Sequence, residues 1–105
     1  MTSAIRPRLL VTIQPPTKFI RLLEHAFEIQ YHDPMNDVHQ EKFVSYVRAM
    51  APDAILFNWK TRIDKPILTA AGDQLKMLAT YSVGYDHIDV KECQRRGIPI
   101  GYTPG

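Results

Sequence analysis

Residues 54–102 read AILFNWKTRIDKPILTAAGDQLKMLATYSVGYDHIDVKECQRRGIPIGY, and the alternation within this stretch decides the fold. Ala54-Ile55-Leu56-Phe57 is a continuous apolar run and reads as a strand. The loop Asn58-Trp59-Lys60-Thr61-Arg62 follows. Asp64 is placed to cap a short helix that turns Ile67, Leu68 and Ala71 inward, and Gly72 stands where such a helix stops. Leu75 to Thr80 reads as the next strand and Tyr81 to Tyr85 as a second loop. Asp86 is expected to cap a helix containing Ile88, Val90 and Cys93, with Asp89 as its dipole partner. Gly97 ends that helix, and Ile98 to Tyr102 forms a last strand.

The same rhythm extends upstream. Leu9 to Ile13 is a β-branched apolar run closed by Pro15-Pro16. Thr17 can cap a helix whose apolar face is Phe19, Ile20, Leu22, Leu23, Ala26 and Phe27. Phe27 to Tyr31 alternates with period two and stops at His32-Asp33-Pro34, as an edge strand would. Asn36 or Asp37 opens a further helix carrying Val38, Phe43, Val44 and Val47. Five strands alternating with helices at short spacing predict a parallel α/β sheet with helices on both faces. The flavodoxin-like order 2-1-3-4-5 is the natural solution under right-handed crossovers.

The chain has 105 residues, 45% hydrophobic and 23% charged, enough for one compact domain and too few for two. No apolar run reaches the roughly 18–20 residues of a membrane span, and the first residues lack a signal-peptide core. A net charge of +2 without clustering gives no electrostatic case for nucleic acid. The single cysteine, Cys93, forms no internal disulfide and suits a reducing compartment. The expectation is a soluble, cytoplasmic domain with neither nucleic acid nor membrane as partner.

In an open parallel sheet, ligands bind beyond the carboxyl ends of the strands. Among the loops there, Ser82-Val83-Gly84 is the most informative. Gly84 lacks a Cβ, so backbone can approach a ligand. Amides at the start of the Asp86–Arg96 helix would suit a carboxylate. The competing reading is a plain chain reversal. Asn58 and Trp59 could wall a small polar pocket, or simply pack on the surface. His87 reads as structural, Cys93 as a core residue, and Lys91, Arg95 and Arg96 as a solvated face. His25, His32 and His39 fall on different elements, so no metal site is expected.

Other flavodoxin-like functions fail on residues. Gln14, Asn58 and Thr103 stand where a phosphoacceptor domain needs acids and a lysine. Pro15-Pro16-Thr17-Lys18 is no flavin phosphate loop. No C-x-x-C, G-x-G-x-x-G or Walker loop occurs.

Leu75 to Gly105 resembles the D-isomer-specific 2-hydroxyacid dehydrogenases, most closely their glyoxylate reductase/hydroxypyruvate reductase branch. The resemblance is carried by Ser82, Gly84, Asp86-His87-Ile88-Asp89, Arg96-Gly97-Ile98, Ile100 and Thr103-Pro104-Gly105. It extends loosely upstream through Ile63-Asp64, Leu68 and Ala54-Ile55-Leu56. It implies that residues 1–105 are the N-terminal segment of the family's substrate domain, without the Rossmann cofactor domain. It also implies reduction of small 2-keto acids to 2-hydroxy acids with NAD or NADP, usually by homodimers. Ser82, Val83 and Gly84 would hold the substrate carboxylate, with Asn58 and Trp59 lining the pocket. The family's catalytic histidine, acid and arginine, and its cofactor loop, have no counterpart here; His87 belongs to the turn motif. A piece inactive alone is therefore expected. The alternative is a non-catalytic module that binds small carboxylates or modulates a dimer.

Overall fold

The computed structural model describes residues 6–14, 17–32, 40–81 and 86–102. Five parallel strands, β1 (Arg8–Val11), β2 (Glu28–Tyr31), β3 (Ala54–Phe57), β4 (Met77–Thr80) and β5 (Ile100–Tyr102), form one sheet in the order β2-β1-β3-β4-β5. Between them run α1 (Thr17–Ala26), α2 (Gln40–Met50), α3 (Lys65–Ala71) and α4 (Val90–Arg96). The expected flavodoxin-like order is the observed one.

Strand alternation divides the core into two layers. Leu10, Ile55, Phe57 and Leu78 face one side, where they pack with Phe43 and Val47 of α2, Ile67 and Leu68 of α3, and Cys93 of α4. Leu9, Val11, Ala54 and Leu56 face the other side and meet Phe19, Leu23 and Phe27. Those three recur every four residues, so the stripe meeting the sheet is narrow. Leu22 lies outside it and is 70% exposed, contrary to its assignment to the apolar face. On the same side of the sheet, Met77 is 44% exposed. No described helix is long and apolar enough to cross a membrane.

Local chemistry explains most element boundaries. Asp64 caps α3 by accepting from the Ile67 N–H at 3.3 Å, Pro66 occupies the first turn, and Gly72 closes the helix at φ +88°. Gly97 closes α4 in the left-handed region at φ +72°. Other boundaries differ from expectation. Thr17 is the first helical residue and not the one before it. The openings proposed at Asn36 or Asp37 lie outside the described residues. Strands β4 and β5 are shorter than expected because Leu75, Lys76, Ile98 and Pro99 are taken up by connections such as Ile98 N–H to the Cys93 carbonyl, 2.9 Å.

The largest correction concerns α4. It begins at Val90, and its cap is Asp89, which accepts from the Glu92 N–H at 3.1 Å; Asp86 lies in the preceding turn. Ile88 is engaged elsewhere, in a parallel bridge with Ile63. The Ile63 N–H donates to the His87 carbonyl at 2.8 Å, and the Asp89 N–H donates to the Ile63 carbonyl at 2.9 Å. A segment held extended by those two bonds cannot be helical, so helix formation waits until Val90.

At the far end of α4 the basic residues do more than face solvent. Glu92 pairs with Arg95 and, at 2.7 Å, with Arg96 Nε. Arg96 Nη2 reaches Thr69 Oγ1 at 2.9 Å and so ties α4 to α3.

Candidate functional site

The register sets Phe57 opposite Thr80, so the loops leaving β3 and β4 start side by side at the carboxyl edge of the sheet. Each loop is pinned by polar groups. After β3, Asn58 builds a tight turn. Its Oδ1 accepts from the Lys60 N–H at 2.9 Å, and its carbonyl accepts from the Thr61 N–H at 3.0 Å. Trp59 is thereby raised to the surface, 66% exposed, with the Lys60 ammonium 5.6 Å from its ring centroid. Thr61 turns inward, is buried, and shares a 3.0 Å hydrogen bond with Thr12 Oγ1, which joins this loop to the end of β1.

After β4, the Tyr81 N–H donates to the Phe57 carbonyl at 2.6 Å. Thr80, 1% exposed, meets His87 Nε2 through its hydroxyl at 3.0 Å. The His87 ring stands edge-on to Phe57, with centroids 5.6 Å apart and planes at 74°. Burial pushes the His87 imidazole below its ordinary value, partly opposed by Asp86. His87 is thus a packed, hydrogen-bonded side chain, in keeping with its structural reading.

Of the candidate residues, Asn58 and Trp59 stand on the loop just described, at the ligand edge. Ser82, Val83 and Gly84 lie outside the described residues. The helix-terminus argument for an anion there needs correction. The first residue of α4 is Val90, and Asp89 already supplies a carboxylate to its N-terminal amides.

A depression of about 210 Å³ lies beside this region, lined by Arg62, Ile63, Asp64, Asp86, His87 and neighbours. Its acidic rim opposes an anionic ligand. Burial pushes the Cys93 thiol up, as befits a core residue. His32 stacks on Tyr46, 3.9 Å between centroids. Sequence reasoning passed over Thr12, Thr61 and Thr80, the hydroxyls that fasten the loops. A threonine ending an apolar strand beside a glycine turn is the signal that could have found Thr80.

Two acid-induced losses of stability are expected. His87 has a lowered native value, so the unfolded chain binds the proton more readily. Stability therefore declines as pH falls below the ordinary 6.5. Hydrogen bonds from Arg95 and Arg96 hold Glu92 down to about 2, against an ordinary 4.5. Its contribution is complete above 4.5 and disappears as pH falls toward 2. Thermal melts at descending pH should show both losses. His87→Gln should abolish the first, and Glu92→Gln should reduce the second.

Residues 9–105 match the family described as D-isomer specific 2-hydroxyacid dehydrogenase, catalytic domain. The chain is 34% identical over 100 residues to a glyoxylate reductase of Pyrococcus furiosus, covering 95% of this chain and 29% of that protein. It is 47% identical over 51 residues to the mouse glyoxylate reductase/hydroxypyruvate reductase, covering 49% of this chain and 16% of that protein. Among solved structures it is similar to the NADPH-dependent glyoxylate/hydroxypyruvate reductase of Sinorhizobium meliloti, solved with NADP and malonate. The TM-score is 0.65 at 25% identity, covering 95% of this chain and 29% of that one. The chain thus spans less than a third of the length of these relatives.

Proposed function

The chain belongs to the D-isomer-specific 2-hydroxyacid dehydrogenase family, and on that premise we propose that it forms the substrate-binding lobe of a reductase acting on small 2-keto acids such as glyoxylate and hydroxypyruvate. The observation that supports this reading is the register Phe57 opposite Thr80, which starts the segments leaving β3 and β4 side by side at the carboxyl edge of the sheet. In this reading, turn amides hold the substrate carboxylate. Trp59 covers it from the neighbouring loop, so that the keto carbon faces outward from the sheet edge.

The Sinorhizobium meliloti relative, named as NADPH-dependent and solved with NADP, supports a nicotinamide cofactor, NAD(P)H, as the hydride source. These 105 residues contain no glycine-rich phosphate loop, so none is assigned to the cofactor. His87 is not assigned as proton donor, because its Nε2 is engaged with Thr80 inside the fold. The chain alone is therefore expected to be inactive in reduction, and homodimerisation is a further part of the proposal. The buried single cysteine supports a reducing, cytoplasmic setting.

The test is a titration of the isotopically labelled chain with glyoxylate and, in parallel, with its neutral amide. Charge-assisted hydrogen bonds of about 1.5–3 kcal/mol predict roughly tenfold or greater preference for the anion. Saturable shifts should fall on the amides of residues 58–62 and 81–88. Shifts confined elsewhere, or equal affinity for the amide, would reject the site. NADPH oxidation by the chain alone would reject its assignment as a binding lobe.

A further inference from the structure

We propose that the cavity between β2 and α2, at the amino edge of the sheet, is a binding site for a free α-amino acid with a small apolar side chain. It lies at the opposite edge from the Asn58–Trp59 loop and does not depend on the carboxylate-binding reading above.

The cavity encloses about 310 Å³ and is lined by Arg8, Glu28, Gln30, Tyr46, Ala49 and Met50. Its origin lies in the topology. β2 is an edge strand, and α2 sends Phe43, Val47 and Met50 into the core with Leu10 of β1 and Ile55 of β3. The side of β2 that faces α2 carries Glu28 and Gln30, which share a face with their register partners Arg8 and Leu10. Both are polar and exposed, so they do not close against the helix, and a hollow is left between strand and helix.

Opposite charges are held apart in this hollow. Arg8 and Glu28 are register partners on adjacent strands, about 4.8 Å apart at the backbone and directed to the same face. Charges so placed ordinarily draw together. Here Arg8 Nη1 donates instead to the Met50 carbonyl at 2.8 Å, at the C-terminal end of α2, where a cation is favoured. The ion pairs among the described residues are those of Glu92 with Arg95 and Arg96. The Arg8 guanidinium and the Glu28 carboxylate therefore stand on two walls of one cavity without pairing to each other.

A zwitterion answers that arrangement. Its carboxylate suits the remaining N–H groups of Arg8, and its ammonium suits the Glu28 carboxylate and the side-chain carbonyl of Gln30. The two ligand charges, carried on one α-carbon, bridge two protein charges that do not meet. Tyr46, Ala49 and Met50 supply an apolar wall for a short aliphatic side chain, and stacking on His32 at 3.9 Å fixes the Tyr46 ring. A ligand with a single charge satisfies one wall and leaves the other unmatched.

The experiment records amide spectra of the isotopically labelled chain during titration with L-valine. Parallel titrations use valinamide, which lacks the carboxylate, and N-acetylvaline, which lacks the ammonium. Saturable shifts from valine should fall on residues 8, 28–30 and 46–50. Each analogue should bind about tenfold or more weakly, the scale of one charge-assisted hydrogen bond. Glu28→Gln should weaken valine by about tenfold and leave N-acetylvaline unchanged, a split that a general loss of structure does not produce. Should that variant not fold, Ala49→Trp, at an exposed position of α2, fills the hollow and should abolish the valine shifts. Absence of saturable shifts, shifts confined to other residues, or equal affinity for either analogue would overturn the proposal, as would unchanged valine affinity in the folded variant.

Discussion

Phe57→Ala is expected to lower the stability of the domain by about 3–5 kcal/mol. Phe57 is fully buried on β3, the central strand of the sheet, among Leu10, Ile55, Leu78 and the inward faces of α2 and α3. Truncation removes the transfer energy of an aromatic ring and leaves a cavity that the flanking β1 and β4 cannot close without breaking register. A domain of this size has a total stability of roughly 5–15 kcal/mol, so the change is large. At about 4–8 °C per kcal/mol, the melting temperature should fall by roughly 15–30 °C. Thermal or urea denaturation measures this directly. A loss below about 1 kcal/mol would show that the site collapses freely and that the core is not packed as described. Because His87 stands against the same ring, surviving native molecules should also show a displaced His87 resonance. Trp59→Ala, at an exposed aromatic on the adjoining loop, is the control and should change stability by no more than about 0.5 kcal/mol.

Gly84→Val should weaken glyoxylate binding by about tenfold or more while leaving the fold intact. The argument is chemical. A carboxylate held by backbone amides must approach the main chain closely, and glycine alone offers no Cβ in its path. Valine adds a branched side chain and restricts the backbone angles available to the turn. Each amide–carboxylate hydrogen bond lost or lengthened costs about 1.5–3 kcal/mol, which sets the tenfold scale. Calorimetric or spectroscopic titration of the variant against the unaltered chain measures the effect. An unchanged affinity in a folded variant would exclude the turn as the carboxylate site and leave the Asn58–Trp59 loop to be tested in its place.

How much was legible in the residues depends on the range of the interaction responsible. Ala54–Phe57 matched its strand because a run of four apolar residues has one way to be buried between two helical layers. Asp64, Gly72 and Gly97 did as expected because capping is decided within four or five residues. The candidate loop at Asn58 and Trp59 was legible too, since the topology of a parallel sheet dictates which loops share its carboxyl edge. Asp86 failed as a cap for the opposite reason. Nothing local distinguishes it from Asp89, and the choice is made by Ile63, more than twenty positions upstream, which draws Ile88 into a bridge. Leu22 failed similarly, because the width of the stripe that α1 buries is set by the sheet it meets.

The sequence by itself therefore determined the order and kind of the elements, the strand order they must adopt, and the family to which the chain belongs. These follow from periodicity, capping and a local turn motif. Only the tertiary structure decided that α4 starts at Val90, with Asp89 as its cap, and that Thr61 fastens to Thr12. The pairing of Thr80 with His87 was decided there as well. Such pairings join groups on different elements, and their energies depend on burial and on distances of about 3 Å that no local pattern encodes. That is why His87, an isolated histidine in a turn when read along the chain, becomes in three dimensions a packed partner of Thr80 and Phe57.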